Sequence, residues 1–392
     1  MTPRLVVSGA GIAGLSSALE LARGGAEVTV LERRVALAEF GAGIQLSPNA
    51  TRHLRSWGLL ERLTEIATRP EAIRIRRGVD GVELVRLPLQ SWADRGSPFL
   101  LLHRADMQDT LAQAVAAEAS IDLRFGTEVL SVNESASSLA VELKTQDGVA
   151  RIDADGLIQA GGVHSARRSA SGAERVKYSG RVAWRALVPA DLVDKQHLRP
   201  ETNLWLGPQA HLVHYPLRSS TVISVVVILE EPEWLPPHEA DNWSADGQRD
   251  ALLNRFDRWH AVPKALLAAA PSWQGWPLFD VQGFLASERG RETCVGDAAH
   301  PMLPFLAQGA SQSIEDAAAL AQALVDEYAD LPRAFRAYEG RRCARAERIQ
   351  RASRDQGRIY HLRGPAALAR DTVMRALGPR GMFSRMAWLY ES

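Results

Sequence analysis

The sequence predicts an α/β protein with an α+β insertion: a discontinuous Rossmann-like domain, a β-sheet domain and C-terminal helices. Two observations lead to this class. A strand, a glycine-rich turn, a helix and a second strand follow one another within residues 4–32, which is the pattern of a parallel βαβ unit. Short apolar strands separated by turn residues then occupy residues 176–229, and this spacing is typical of an antiparallel sheet.

The first part of the chain alternates between strands and helices. Apolar residues at positions 15, 18, 19 and 22 give the first helix one apolar face. The predicted strands here are Arg4–Ser8, Glu27–Glu32, Asp122–Ser131, Ala140–Lys144 and Gly156–Gln159. The predicted helices are Leu15–Arg23, Asn49–Trp57, Leu59–Ala67 and Arg104–Glu118.

The later part of the chain is predicted to be β-rich and then helical. Its strands are RVAWRALV, NLWLG, HLVHYPL and STVISVVVIL, followed by Glu292–Val295. Its helices are Gln312–Tyr328 and Arg333–Gln356. We therefore assign residues 1–70, 98–175 and 286–392 to the Rossmann-like domain with its C-terminal helices, and residues 71–97 and 176–285 to the β-sheet domain.

Composition excludes several classes of protein. The 392 residues contain 46 Lys plus Arg and 46 Asp plus Glu, so no net charge attracts nucleic acid or an anionic membrane. The two cysteines, at 294 and 343, have no neighbouring ligand cluster, which argues against a metal site or a disulfide framework. No apolar run approaches the roughly 20 residues that span a bilayer. We expect a cytoplasmic protein.

The glycine-rich turn has the spacing of a dinucleotide-binding fingerprint. Gly9, Gly11 and Gly14 form GxGxxG between a strand and a helix, and Glu32 ends the second strand. The glycines let the pyrophosphate approach the helix N-terminus, and the carboxylate accepts hydrogen bonds from a ribose diol. Ala13 and Arg33 complete this predicted cofactor site. The fingerprint by itself leaves NAD and FAD open.

A second motif resembles a known family. The segment GDAAHP (296–301), continuing to the Gly309-Ala310 pair, is similar to the GD motif of the class A FAD-dependent aromatic hydroxylases. The resemblance implies that Asp297 binds the ribityl O3′ of FAD and that the backbone of Gly309 and Ala310 faces the flavin ring. Free helix N-terminal amides there stabilise negative charge on a reduced flavin.

Two further segments resemble the same family. The segment GAGIQLSPNA (41–50) is similar to its flavin-covering loop, with Gln45 near the isoalloxazine edge. The segment HRADM (103–107) is similar to the one whose arginine, here Arg104, contacts the FAD pyrophosphate, and Val129 matches a residue whose backbone meets adenine. The C-terminal GRIYHLRGPAALARD resembles the salicylate and 3-hydroxybenzoate hydroxylase branch.

The third motif departs from the family pattern. The family has Ala-Asp-Gly before a Ser and an Arg, whereas this chain has AGGVHSAR (160–167), with Gly161 at the aspartate position. That aspartate helps to hold the FAD pyrophosphate region and the pyridine nucleotide. Three interpretations stay open: weaker cofactor or reductant binding, a flavoprotein that is reduced differently or inactive, and a tolerated substitution.

The resemblance implies an FAD-dependent monooxygenase. FAD is held tightly but non-covalently, NAD(P)H binds transiently as co-substrate, and a flavin C4a-hydroperoxide hydroxylates a phenolic or heteroaromatic, carboxylated ring. No second GxGxxG offers a separate nicotinamide domain. The alternatives are an FAD-binding protein without turnover on NAD(P)H and a flavin-dependent epoxidase or dehydrogenase.

Four residues are candidates for substrate contact. In an extended strand His211 and Tyr215 share one face and His214 takes the other. The 3-hydroxybenzoate branch has a His and a Tyr at this spacing, so we assign His211 as the base or phenol partner and Tyr215 as a hydrogen-bond donor; packed strand residues are the alternative. Arg185 is either a carboxylate clamp or a structural arginine bound to backbone carbonyls. Pro304 is assigned to the substrate site in a stretch where that branch has a Gln.

The helix near the C-terminus is rich in arginine. Nine arginines occur between positions 333 and 358, and after Tyr338 no aromatic residues lie between them as they would in a nucleic-acid groove. We interpret them as a solvated helix face, close to a partner subunit in a homodimer. His164 and His300, which lie inside the motif loops, are expected to fix those loops.

Overall fold

A computed structural model of the protein describes residues 2–37, 43–135, 137–168, 174–233, 245–287, 289–327 and 330–391. The chain divides into two compact units. Unit 1 contains Met1–Phe40, Ala105–Lys177 and Phe279–Ala352. Unit 2 contains Gly41–Arg104, Tyr178–Leu278 and Ser353–Ser392.

In the described ranges the strands belong to four sheets. Their bounds are β1 (Arg4–Ser8), β2 (Glu27–Glu32), β3 (Gly43–Leu46), β4 (Ala72–Arg77), β5 (Glu83–Pro88), β6 (Leu100–His103), β7 (Ile121–Phe125), β8 (Glu128–Glu134), β9 (Leu139–Thr145), β10 (Gly148–Ala154), β11 (Gly156–Gln159), β12 (Lys177–Pro189), β13 (Glu201–Gly207), β14 (Ala210–Leu217), β15 (Val222–Glu230), β16 (Gln274–Asp280) and β17 (Glu292–Cys294).

Helices lie mainly in the N-terminal and C-terminal thirds. Their bounds are α1 (Ile12–Arg23), α2 (Pro48–Ser56), α3 (Leu60–Ile66), α4 (Gln90–Asp94), α5 (Arg104–Ala116), α6 (Gly162–Arg168), α7 (Ala245–Arg255), α8 (Ala261–Ala269), α9 (Gly309–Asp326), α10 (Leu331–Tyr360) and α11 (Gly364–Tyr390). The last helix is interrupted at Gly378, next to Pro379. Within the described ranges no helix is both long and apolar enough to cross a membrane.

Unit 1 is built on a parallel sheet with the strand order β17-β11-β1-β2-β7. The central strand β1 is an apolar run whose middle residues Leu5, Val6 and Val7 are buried, as expected of a parallel strand covered on both faces. Helix α1 buries its apolar face and packs against α9. A three-stranded antiparallel sheet, in the order β10-β9-β8, completes the unit.

Unit 2 is built on a seven-stranded sheet with the order β16-β12-β15-β14-β13-β4-β5. Alternation along β14 gives the sheet two distinct faces, because side chains at successive positions point to opposite sides. One face packs on α7 and α8 through a cluster that includes Trp205, Leu212 and Phe256. The other face contains His211, Val213 and Tyr215.

The predicted fold class is confirmed by this mixed architecture. The strands Arg4–Ser8, Glu27–Glu32 and Gly156–Gln159 have the bounds that the sequence predicts. The single strand predicted over Asp122–Ser131 is wrong: Gly126 has φ +64°, and a turn there separates β7 from β8. Nine elements were not predicted from the sequence: β3, β6, β10, β16, α4, α6, α7, α8 and α11.

Candidate functional site

The glycine-rich loop of unit 1 closes tightly between β1 and α1. Gly9 has φ +114°, and a Cβ there would lie 2.7 Å from the carbonyl oxygen of Ala160. A Cβ on Gly14 would overlap with the carbonyl oxygen of Gly9. A Cβ on Gly11, in contrast, would meet no atom within 4 Å. The loop is therefore closed from behind and leaves open space at the N-terminus of α1, where a phosphate binds in such folds.

Glu32 is fixed beside this loop. Its Oε2 accepts a hydrogen bond from the backbone N–H of Ala10 at 3.0 Å, and its Oε1 accepts one from the N–H of Arg34 at 3.0 Å. Arg33 is exposed next to it. The two backbone donors hold the carboxylate at the end of β2, in the position predicted for binding a ribose diol.

The GD loop lies against the glycine-rich helix within unit 1. A Cβ on Gly296, whose φ is +60°, would lie 2.8 Å from the Cβ of Ala13. Asp297 is exposed between buried Gly296 and Ala298 in a short 3₁₀ turn. The fold therefore brings two motifs that lie almost 300 positions apart in the sequence into direct proximity, and Asp297 presents its carboxylate on the outside of the loop.

A buried ionic network holds the GD loop in place. Asp316 accepts hydrogen bonds from the Gly296 N–H and from Arg342 Nε, each at 2.7 Å, and its Oδ2 lies 2.7 Å from His300 Nε2. Burial opposes ionisation of this carboxyl, but His300 and Arg342 outweigh it and hold the pKa of Asp316 well below its usual range. His300 thus fixes the loop, as predicted. The solvated position predicted for the arginines of α10 is wrong for Arg342, which is 4% exposed.

Helix α9 begins with an open N-terminus. Ala307 adopts a left-handed conformation with φ 52°, and Gln308 at the N-cap makes no capping side-chain hydrogen bond. A Cβ on Gly309 would meet no atom within 4 Å, and Gly309 and Ala310 are both partly exposed. Pro304 starts the short 3₁₀ turn that precedes the helix. Backbone N–H groups at such an end can stabilise an anion.

Taken together, these features of unit 1 fit a bound dinucleotide. Two helix N-termini have glycines with open space beside them, and two carboxylates, Glu32 and Asp297, lie on the loops next to them. Val129, predicted to meet adenine through its backbone, is partly buried in β8. In the described part of the chain no group of three or more His, Cys, Asp or Glu residues could hold a metal ion.

Two predicted cofactor residues belong to unit 2. Gln45 lies in β3, partly buried, with its Oε1 3.5 Å from the hydroxyl of Thr202. Arg104 is the first residue of α5. Gly41 and Ala42, which begin the segment that resembles the flavin-covering loop, lie outside the described residues. The cofactor contacts predicted for Gln45 and Arg104 remain predictions.

Three of the four candidate substrate residues, His211, Tyr215 and Arg185, share one face of the seven-stranded sheet. The register pairs His211 with Ile228, Tyr215 with Ser224 and, from β12, Arg185 with Val226. All three positions therefore project from the same side, as predicted for His211 and Tyr215, and His214 projects from the other side. The Tyr215 side chain is hydrogen-bonded to Ser224, and burial raises the pKa of Tyr215 to about 12, so its phenol is protonated and able to donate.

A chain of three titratable side chains starts at His211. His211 Nδ1 lies 2.8 Å from His361 Nε2, and His361 Nδ1 lies 3.1 Å from Glu230 Oε1. Burial lowers the pKa of His211 well below its ordinary value, and His361 and Arg181 add to the effect. Burial likewise lowers the pKa of His361, to about 4. Both rings are therefore neutral near pH 7.

Sequence reasoning missed His361 and Glu230. In the sequence, the segment that contains His361 indicates only the hydroxylase branch, and Glu230 stands at the end of an otherwise apolar strand. The two residues are 131 positions apart, so no local spacing could have paired them. Only the sheet register and the course of the C-terminal helices bring them together.

Arg185 lies beside Tyr215 on the same face. Within the described ranges its Nε is buried and has no hydrogen-bond partner. This nitrogen therefore makes no bond to a backbone carbonyl among the described residues, and both interpretations of Arg185, a carboxylate clamp and a structural arginine, remain predictions. Burial lowers the pKa of Arg185, as does neighbouring Arg104, while Tyr215 opposes the shift. A guanidinium keeps its proton in proteins, so Arg185 favours an anionic ligand group.

Comparison with known proteins identifies the class. Residues 1–353 match the profile of a family described as FAD binding domain. The protein belongs to this family of FAD-binding proteins. The dinucleotide features of unit 1 are thus those of an FAD site.

Among its relatives are enzymes that act on aromatic rings. The chain is 37% identical to a 3-amino-4-hydroxybenzoate 2-monooxygenase of Streptomyces platensis, over 99% of this chain and 96% of that protein. It is 33% identical to a 3-hydroxybenzoate 6-hydroxylase of Klebsiella oxytoca, with the same two coverages of 99% and 96%. The salicylate hydroxylase substrate complex shares the fold, with a TM-score of 0.79 at 24% identity over 100% of this chain and 96% of that chain.

Proposed function

We propose that the protein is an FAD-dependent monooxygenase that hydroxylates a carboxylated phenolic or heteroaromatic ring, with NAD(P)H as the electron donor. The observation that carries this proposal is the sheet face of unit 2. A buried neutral histidine, a protonated tyrosine and an arginine whose Nε has no partner among the described residues project from the same side there. A ring with a hydroxyl and a carboxylate has complementary groups for all three.

FAD, when bound, supplies electron transfer from NAD(P)H and the activation of O2. The residues of this chain supply the acid–base chemistry and the positioning. His211 accepts the proton of the phenol hydroxyl, which makes the ring more electron-rich and more reactive toward an electrophilic oxygen. Tyr215 donates a hydrogen bond that orients the substrate.

The three-residue chain gives the phenol proton a route away from the ring. Glu230 accepts the N–H of His361 Nδ1, so His361 Nε2 is the acceptor for the Nδ1–H of His211. In this tautomer His211 uses Nε2 to accept the substrate proton, while its Nδ1 proton passes to His361. His361 in turn passes its Nδ1 proton to Oε1 of Glu230. The Glu230 side chain is 31% exposed, so a proton reaches a group in contact with solvent.

Arg185 supplies the contact that selects a carboxylated substrate. Planar guanidinium groups bind carboxylates through paired N–H donors. A hydrogen bond to a charged group contributes about 1.5–3 kcal/mol. The names of the two relatives described above refer to hydroxybenzoates, which have a carboxylate and a phenol on one ring, and this supports the same substrate class for this chain.

The proposal is tested by product analysis. FAD-loaded protein is incubated in air with NADH or NADPH and each of a panel of hydroxybenzoates and hydroxynicotinates, and the products are identified by mass spectrometry with labelled O2. We expect one substrate to gain a single labelled oxygen atom. Oxidation of NAD(P)H without labelled product for every ring would contradict the proposal.

A second candidate function is FAD binding without turnover on NAD(P)H. One observation favours it: Gly161 replaces the family's aspartate, and a Cβ there would lie 2.9 Å from the Cβ of Ser165. A carboxylate at this position therefore requires Ser165 to shift. Under this second function, the G161D variant would oxidise NAD(P)H in the presence of an aromatic acid and the natural chain would not.

The remaining assignments are also proposals. We propose that residues 1–70, 98–175 and 286–392 form the FAD-binding domain and that residues 71–97 and 176–285 bind the substrate. A cytoplasmic location is supported by the two free cysteines, Cys294 and Cys343, which suit a reducing compartment. A homodimer is supported by exposed apolar side chains on the last two helices, Ile359, Leu368 and Val373, and is tested by sedimentation velocity.

A further inference from the structure

The face of the seven-stranded sheet opposite His211 contains a polar cavity of about 250 Å³. We call it the Arg76 pocket. Its lining includes Arg74, Arg76, His197, Arg199, Trp205 and His214. Every lining residue belongs to unit 2, and the exposed side chain of Arg199 makes the cavity accessible from solvent. None of these residues takes part in the proposed hydroxylation.

Three side chains of the pocket have buried polar atoms without a partner. Within the described ranges, Arg76 Nε, Trp205 Nε1 and both ring nitrogens of His214 make no hydrogen bond. Trp205 and His214 are each 1% exposed. A buried polar group left unsatisfied costs about 1–3 kcal/mol, and such groups are rare in folded proteins. Their concentration around one cavity indicates that the cavity receives a ligand.

The charge around the cavity selects an anion. Arg74 is neutralised by ion pairs with Glu83 and Glu201 at 2.5 and 3.2 Å. Arg76 has no ion pair in the described part of the chain, and its guanidinium carbon lies 5.2 Å from the centre of the Trp205 ring. The charged residues of the lining are three arginines and one glutamate. The lining therefore has an excess of positive charge.

The buried histidine is suited to the same ligand. Burial lowers the pKa of His214 well below its ordinary value, and His197 and Arg76 reinforce the shift. The ring is therefore neutral and offers one N–H donor and one acceptor nitrogen. Its plane is nearly parallel to that of Trp205, with ring centroids 6.4 Å apart and an interplanar angle of 23°. Arg76, Trp205 and His214 thus all line the same small cavity.

We propose that the Arg76 pocket is a second binding site, specific for a small oxyanion, either a carboxylate or a phosphate. Arg76 supplies the charge, Trp205 Nε1 and His214 supply hydrogen bonds, and Arg199 supplies a further charge at the solvent side. The site is distinct from the proposed substrate face, because His211 and His214 project from opposite sides of the same strand.

The test measures binding by calorimetry with the FAD-loaded, full-length protein. Inorganic phosphate and benzoate are titrated separately into the wild type and into the R76Q, R199Q and R185M variants, with R151Q as the control. Arg151 is an exposed arginine paired only with Asp153 among the described residues, so R151Q removes the same charge elsewhere. Melting temperature and FAD content verify the fold of each variant.

We expect phosphate, benzoate or both to bind the Arg76 pocket of the wild type, with affinity at least tenfold lower in R76Q, several-fold lower in R199Q and unchanged in R151Q. In R185M, binding at the Arg76 pocket persists. The anion whose affinity falls in R76Q is the oxyanion that the pocket binds. Benzoate bound at the substrate face is recognised by its loss in R185M.

Wild-type affinity in R76Q, no binding of either anion to the wild type, or loss of all binding in R185M would each overturn the proposal. If R76Q does not fold, the R199Q variant tests the proposal at the exposed side of the pocket. Unchanged affinity of R199Q for both anions would then overturn the proposal.

Discussion

The two units prepare their candidate sites by different means. In unit 1, glycines bring backbone N–H groups to the surface of two loops, and a buried network centred on Asp316 holds one loop from behind. In unit 2, a sheet face presents side chains, and their chemistry depends on burial and on partners such as His361. A site built from backbone is damaged by adding atoms, whereas a site built from side chains is damaged by removing them.

The largest effect is expected from adding atoms to the glycine-rich loop. The Gly14→Val substitution places side-chain atoms where even a Cβ would overlap with the carbonyl oxygen of Gly9. The loop must open, and the N-terminus of α1 then moves away from the phosphate position. We expect the purified variant to contain no FAD, measured by absorbance after denaturation.

Gly340→Ala is the matched control for this change. Gly340 is exposed in α10, and a Cβ there would meet no atom within 4 Å. We expect full FAD content and a free energy of unfolding higher by about 0.5–1 kcal/mol, because alanine is the better helix former. Equal FAD content in the Gly14→Val protein and this control would refute the backbone account of unit 1.

The second-largest effect is expected from removal of the proposed catalytic base, His211. We expect His211→Asn to lower kcat by about 10²–10⁴-fold, the usual contribution of general acid–base catalysis, while FAD content stays at the wild-type level. Steady-state oxygen consumption at several pH values measures the effect. His53→Asn, on the partly exposed side of α2, is the control and should leave kcat unchanged. A His211→Asn enzyme with the wild-type kcat and pH profile would show that His211 is not the base.

A smaller effect is expected at the proposed carboxylate clamp. Arg185→Met should raise KM for a hydroxybenzoate by about 10- to 150-fold, which corresponds to the loss of one charged hydrogen bond. The same variant should change KM much less for the corresponding phenol without a carboxylate. Comparison of the two substrates is the internal control. An equal change for both would show that Arg185 acts on the fold rather than on the carboxylate.

The smallest predicted effect concerns pH and stability. The pKa of His361 is lowered to about 4 by burial, whereas an unfolded histidine titrates near 6.5. Between these pH values the unfolded chain binds a proton that the folded chain does not, so stability falls as the pH falls from 6.5 towards 4. We expect the fall in Tm over this pH range to be smaller in His361→Gln than in the wild type, by about 2–4 °C. Thermal melts from pH 7.5 to 4.5 check this, and parallel curves would contradict it.

The sequence predicted the backbone-built site better than the side-chain-built one. The GxGxxG spacing dictates a turn between β1 and α1 whatever surrounds it, so Gly9, Gly11 and Gly14 could be placed from local pattern alone. Strand alternation likewise predicted that His211 and Tyr215 share a face. These features depend on a few neighbouring residues and on the fixed geometry of the backbone.

What could not be predicted depends on residues far apart in sequence. His361 contacts His211, which lies 150 positions away in the sequence. Arg342 binds Asp316 from a helix whose sequence predicts a solvated polar face. The arginine-rich pattern of α10 contains no sign that one arginine is buried. The Arg76 pocket likewise requires the register of β4, β13 and β14, which places its side chains on one face.

The central claim is most directly tested by following the visible flavin absorbance in anaerobic stopped-flow mixing of FAD-loaded protein with NADH or NADPH, with and without hydroxybenzoates. The account predicts that the flavin is reduced and that one carboxylated phenol accelerates the reduction in the wild type. A flavin that stays oxidised under every combination would contradict the monooxygenase assignment.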